Sequence, residues 1–248
     1  MTDFTHQGYL GLLKFIGTEL GYPIGPLRDC PAEGSYVILR HDIDFSVSKA
    51  VEMAELDHEA GVRSTFFVLL TAPYYNALSH DNLSLLRSMA DMGHEIGLHY
   101  DCTGFELLTT EERRQRVALL AESLADGLGQ KVTSIAQHKP ASSGVRETFP
   151  LFRDAYDPRF MPVNGYLSDS RMKFGVDDVH AFLRANSRSQ VLMHPVWWHK
   201  TSKTRDESLE AIEANVCTYV ERLMREEAES ISRYFQARQA TALKEQTT

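Results

Sequence analysis

From Ser35 onward the chain alternates between two hydrophobic periods. Tyr36–Asp44 is a mostly apolar run that predicts a buried strand, and Val47, Ala50, Val51 and Ala54 then recur at helical spacing, with Gly61 placed as a stop. Ser64–Leu70 is β-branched and aromatic and reads as a strand. Leu83, Leu86 and Ala90 mark a helix ending at Gly93, after which Glu95–Asp101 returns to a period of two. Thr109 and Glu112 have capping-box spacing, followed by the stripe Val117, Leu120, Ala121 and Leu124. Val132–His138 predicts another strand, the less regular 149–171 one or two more, Val176–Ala185 a helix and Gln190–Trp198 the last clear strand. Tyr9, Leu12, Leu13 and Ile16 predict a helix ahead of the first strand, and Glu207 to about Ala237 a long charged helix behind the last. Such alternation implies parallel strands covered by helices, an α/β class. No repeat, low-complexity tract or linker interrupts it, so a single domain over 1–248 is expected, with its core at about 35–200. Disorder is expected only in the polar tail Lys244–Thr248.

Composition narrows the function classes. The 248 residues are 43% hydrophobic and 24% charged, enough to bury one substantial core. A net charge of −8 without a basic stripe argues against nucleic acid as a partner. No apolar run is long enough to span a bilayer, and MTDFTHQGYL has neither a basic n-region nor a cleavable apolar segment, so a cytoplasmic location is expected. Cys30, Cys102 and Cys217 are scattered and odd in number, which fits a reducing compartment better than a disulfide scaffold.

The chemistry gathers at strand ends. In YVILRHDIDF, alternation puts Val37, Leu39, His41 and Ile43 on one face and Ile38, Arg40, Asp42 and Asp44 on the other. The first set suits a helix layer; the second brings two carboxylates to the strand's C-terminal end, where α/β barrels build active sites. In the next polar strand Glu95, Gly97, His99 and Asp101 share a face, with Gly97 leaving space beneath His99. Ser134 and Ala136 lie on the side of His138, and VLMHPVWWH places His194 at a strand end ahead of Trp197 and Trp198. Singly, each has a plain structural reading: Asp44 before Ser46 caps a helix, His99 is a bonded core histidine, and His138 belongs to a loop. The two tryptophans fill a core or rim, unless the ligand is a sugar on which an indole stacks. Four strand ends presenting Asp or His together suggest one pocket.

These segments resemble the polysaccharide deacetylase family, the NodB-homology or carbohydrate esterase family 4 group, over about Tyr36 to His199. ILRHDID resembles the family's first motif, AGVRSTFFV the strand after it, and GHEIGLHYD the segment whose last His binds metal. KPASSG lies in the region of the arginine–proline motif, YLSDSR where a later aspartate or tryptophan motif is expected, and LMHP resembles the final motif with its catalytic His. The resemblance implies a distorted (β/α) barrel of about seven strands holding one divalent metal ion, often zinc. Two departures stand out. Ile43 separates Asp42 from Asp44, where the family has adjacent aspartates, and Thr103 occupies the place of the second metal histidine. Asp44 and His99 are then the first-choice ligands, with His138 or Asp101 as the third. His138 is preferred because it ends a separate strand.

On this basis Asp42 is the general base, with its role and that of Asp44 exchangeable, and His194 protonates the leaving amine. Asp169, or Arg171 nearby, sets a catalytic protonation state, and Trp197, Trp198 and Arg171 face the substrate. The implied reaction removes an acyl group, acetyl above all, from the nitrogen of a nucleotide- or lipid-linked sugar in surface-glycan biosynthesis. Two alternatives stay open: a metal-dependent hydrolase of a non-sugar amide or phosphoester, and a non-catalytic carbohydrate-binding or assembly protein on the same barrel. Oligomeric state is not legible.

Overall fold

The computed structural model describes residues 3–143 and 147–246, the side chains of 142–143 and 240–246 excepted. Gly144 of the KPASSG segment and Thr247–Thr248 of the expected disordered tail lie outside the described residues.

Among the described residues eight parallel strands form one sheet: β1 (Ile24–Gly25), β2 (Tyr36–Ile43), β3 (Thr65–Leu69), β4 (Glu95–Tyr100), β5 (Ser134–Gln137), β6 (Arg153–Asp154), β7 (Tyr166–Ser168) and β8 (Arg188–Met193). Seven run in the order β6-β5-β4-β3-β2-β8-β7, while β1 pairs with the first residues of β2 on the edge that β3 takes further along. Strands β2 and β4 are buried at every position, as parallel strands are when helices cover one face and a barrel interior the other. The sheet curls until its ends face each other: Gln190 on β8 donates from Nε2 to the carbonyls of Ala155, at 2.9 Å, and Phe160, at 3.0 Å, just beyond β6. Leu27, Tyr36, Ile38, Phe67, Ala136, Ala155 and Phe160 fill the space between.

The helices are α1 (His6–Lys14), α2 (Val47–Glu59), α3 (His80–Asp91), α4 (Thr110–Leu128), the short α5 (Pro140–Ser143), α6 (Val179–Ala185) and α7 (Arg205–Gln246). Their ends follow local chemistry. Thr109 and Glu112 make the expected capping box at α4, and Gly61 and Gly93 follow α2 and α3 with φ of 71° and 94°. Helix α1 widens over Phe15–Glu19 into a turn whose Leu20 N–H reaches the Phe15 carbonyl.

Several boundaries differ from expectation. Strand β8 stops at Met193 rather than Trp198, because Pro195 has no N–H for the ladder and instead opens a 3₁₀ turn over Pro195–Trp197. Helix α6 begins at Val179, where the Asp178 carboxylate caps Ala181 N–H at 2.9 Å. Strands β6 and β7 are the short pair expected in 149–171, whereas the two-residue β1 carries no periodic signal. Helix α7 runs beyond Ala237.

By its backbone contacts the chain forms two compact units, Met1–Ser208, which contains the sheet, and Leu209–Thr248. The second consists of most of α7 and is exposed throughout 221–239.

Candidate metal centre and active site

Strand β2 sorts its side chains as alternation demands. On the outer face, His41 stacks on Phe66 with ring centroids 4.4 Å apart and bonds through Nε2 to Asp57 of α2 at 3.0 Å. Tyr9 of α1 and Ser64 also donate to the Asp57 carboxylate, and Ser64 Oγ lies 3.2 Å from His94 Nδ1. This buried network fixes the outer side of β2 opposite its functional end. His94 is thus a bonded core histidine.

On the inner face, Arg40 and Asp42 form an ion pair at 2.7 Å, with side chains 0% and 3% exposed. Arg40 also donates to Gln190 Oε1 at 2.9 Å and Tyr156 Oη at 3.1 Å, and its guanidinium lies over the Phe67 and Tyr156 rings. Burial works to raise the Asp42 carboxyl, but the Arg40 charge and hydrogen bond, together with His99 and His194, more than offset it and hold the group ionised. Arg40 is the functional neighbour that residue-by-residue reading missed. Its signal was present in the i, i+2 spacing to Asp42.

Next along the sheet, Gly97 makes the floor of the site. A Cβ there would stand 2.6 Å from a carbon of the Phe67 ring and 2.9 Å from the Ser134 carbonyl. The space expected beneath His99 is therefore filled by Phe67. His99 Nδ1 faces the Ala136 carbonyl at 2.8 Å, so Nδ1 carries the proton and Nε2 presents a lone pair.

The ends of β2, β4 and β5 bring three donor atoms together. His99 Nε2 and His138 Nδ1 each lie 3.4 Å from Asp44 Oδ1, and 3.2 Å from one another. Donors bound about 2.0–2.1 Å from a tetrahedral zinc ion stand about 3.3 Å apart, so the triangle has the right edge for one such ion. Among the described residues Asp44 Oδ1 is also buried without a hydrogen-bond partner, as an atom awaiting a cation would be. The residues present therefore fit a divalent metal with three protein ligands and an open position. Asp101 does not join them: its Oδ1 accepts from the Thr103 N–H at 2.7 Å and the Thr103 hydroxyl at 2.6 Å.

Electrostatics point the same way. With the ligand imidazoles of His99 and His138 neutral, the carboxylates of Asp42, Asp44 and Asp169 outnumber the Arg40 guanidinium and the His194 imidazolium, and the site attracts positive charge. Burial alone would lower the His99 pKa, but Asp42 and Asp44 raise it above its ordinary value. Burial likewise would raise the Asp44 carboxyl, but the imidazoles of His138 and His99 close beside it, with that of His194, hold it well below the usual carboxylate range.

His194 follows β8 on the other side of β2, with Nε2 3.9 Å from Asp44 Oδ2. Its Nδ1 lies 2.6 Å from Asp169 Oδ1, and its backbone N–H points at the same carboxylate. Against the opposing effect of burial, Asp169 lifts the His194 imidazole to about 9. Trp198 donates its indole N–H to Asp169 Oδ2 at 2.8 Å and is 0% exposed, so it props Asp169 from behind. Trp197 is also buried, with its indole N–H free of any partner among the described residues. Arg171 is exposed in a left-handed conformation, φ 61°, so the group beside His194 is Asp169.

No protein-family model and no curated protein sequence matches the chain. Among solved structures, it is similar to a carbohydrate esterase family 4 pseudoenzyme from Bacillus anthracis, at 17% identity and a TM-score of 0.45, covering 76% of this chain and 63% of that one. It is similar to peptidoglycan deacetylase PdaC from Bacillus subtilis, at 15% identity and a TM-score of 0.46, covering 76% and 87%. It is also similar to a chitin deacetylase from the fungus Colletotrichum lindemuthianum, at 18% identity and a TM-score of 0.43, covering 73% and 81%. The chain spans less than two thirds of the length of the Bacillus anthracis protein.

Proposed function

We propose that the protein is a metal-dependent hydrolase that removes an N-acyl group, acetyl above all, from a sugar. The observation that carries this reading is the triangle of Asp44, His99 and His138 donor atoms, with Asp42 and His194 on its flanks. Motif resemblance in ILRHDID and GHEIGLHYD supports the choice of an acylated sugar. One carboxylate and two imidazoles suit zinc, which when bound would supply Lewis acidity to an acyl carbonyl and lower the pKa of water toward about 7.

The chain's own residues then divide the proton work. Asp42, kept ionised by Arg40, accepts a proton from the attacking water as the new C–O bond forms. His194 Nε2 delivers a proton to the sugar nitrogen as the C–N bond breaks, leaving a carboxylate and an amine. Asp169 holds His194 by Nδ1, so that Nε2 faces the reaction. Asp44, His138 and His194 are the partly exposed members, with side chains 16%, 10% and 13% accessible, whereas Asp42 and His99 lie deeper. A substrate thus approaches from the Asp44–His138–His194 side.

The test is elemental analysis of purified protein together with acetate release from a panel of N-acetyl sugars. About one equivalent of zinc, with release abolished in Asp42→Asn, is the expected result. Metal-free protein that still releases acetate would overturn the mechanism.

A further inference from the structure

We infer that Phe45 and Tyr74 form the aromatic platform on which the substrate's sugar ring rests, beside Asp44. For the identity of the reacting group the inference rests on the hydrolase reading above; its geometry is independent of it. A pyranose presents a face of C–H groups, and an aromatic ring at an active-site mouth binds such a face by dispersion and burial. The two tryptophans nearest in sequence to His194 do not offer a ring face, because Trp197 and Trp198 are only 6% and 0% exposed. Phe45 and Tyr74 do. Phe45 follows Asp44 directly in the chain, and its ring stacks on Tyr74 with centroids 5.0 Å apart and planes inclined by 25°. Tyr74 is 45% exposed, and Phe45 is half-buried. Behind them Trp197 stands with its centroid 6.4 Å from Phe45, completing an aromatic row from the end of β2 to the turn after His194.

The row is held rigidly. Tyr75, next to Tyr74, donates its hydroxyl to the Ile43 carbonyl at 2.6 Å and accepts the Leu69 N–H at 3.1 Å. One phenol thereby bolts the loop after β3 to the last residue of β2, one position before Asp44. A loop fixed at that point keeps the Tyr74 ring in place before any ligand arrives, which reduces the entropy lost on binding.

The test compares wild type, Tyr74→Ala and Tyr74→Trp, loaded with zinc, on an N-acetylglucosamine tetramer and on 4-nitrophenyl acetate, an acyl ester without a sugar. Tyr74 is a surface residue, and thermal melts check that all three fold alike. The platform predicts that Tyr74→Ala raises KM for the tetramer about five- to tenfold at unchanged kcat, leaves ester hydrolysis alone, and is rescued by Tyr74→Trp. An unchanged KM for the tetramer, or equal effects on both substrates, would overturn the platform while leaving the hydrolase reading intact. If wild type hydrolyses neither compound, the hydrolase reading fails and the platform is judged by tryptophan-fluorescence titration with the tetramer. Affinity about five- to tenfold weaker in Tyr74→Ala then supports it; equal affinity, or no binding by wild type, overturns it.

Discussion

Replacing Arg40 by Met tests whether the barrel interior is organised around a paired charge. Arg40 is wholly buried, and its guanidinium stands 2.7 Å from an Asp42 carboxylate that is itself 3% exposed. Removing the cation leaves that carboxylate uncompensated in a dry environment and strips Gln190 Oε1 and Tyr156 Oη of their donor. Breaking a buried pair from one side costs about 3–5 kcal/mol. With a urea m-value of about 2 kcal/mol/M, the unfolding midpoint should fall by about 2 M. Asp42→Asn, which orphans the guanidinium instead, should also be costly. The double variant Arg40→Met/Asp42→Asn removes both charges, and its loss should be smaller than the sum of the two single losses by about 2 kcal/mol or more. Urea titrations of the four proteins, followed by far-ultraviolet circular dichroism, measure the whole cycle. A loss below about 1 kcal/mol for Arg40→Met, or additive single losses, would refute the reasoning.

His138→Ala should abolish the zinc equivalent seen by elemental analysis, whereas Asp101→Asn should retain it; the reverse pattern would move the third ligand to Asp101. Asp169→Asn should lower kcat about a hundredfold or more with little change in KM, because His194 loses the partner that orients Nε2, and steady-state kinetics on the best N-acetyl sugar reads this directly. His199 is pushed down to about 4 by burial and by Lys49 and Lys203, so the unfolded chain takes up its proton first. Its contribution to stability is therefore present above about 6.5 and is lost as pH falls from there toward about 4. His199→Gln should flatten the fall of Tm over that window, and an unchanged slope would assign the acid sensitivity to other groups.

The fold was legible in the chain to the extent that local rules decide it. Alternating periods located β2 to β5 and β8, and capping chemistry located the start of α4. The strand ends carrying Asp42, Asp44, His99, His138 and His194 were visible too, since each side chain's face follows from counting by two. Local rules failed where pairing is bought by distant partners. The two-residue β1 exists because the first residues of β2 leave an edge open, and β8 ended early because one proline outweighed an apolar run.

Sequence alone thus determined which residue types reach the open end of the sheet, because strand period and burial are local properties of the chain. Only the tertiary structure decided how they combine. It set His138 rather than Asp101 within 3.4 Å of Asp44, turned His99 by a carbonyl on the neighbouring strand, and spent the Trp198 indole on Asp169. Those outcomes depend on the curl and register of the sheet, which fix distances between residues tens of positions apart, and no local pattern encodes a distance of that kind.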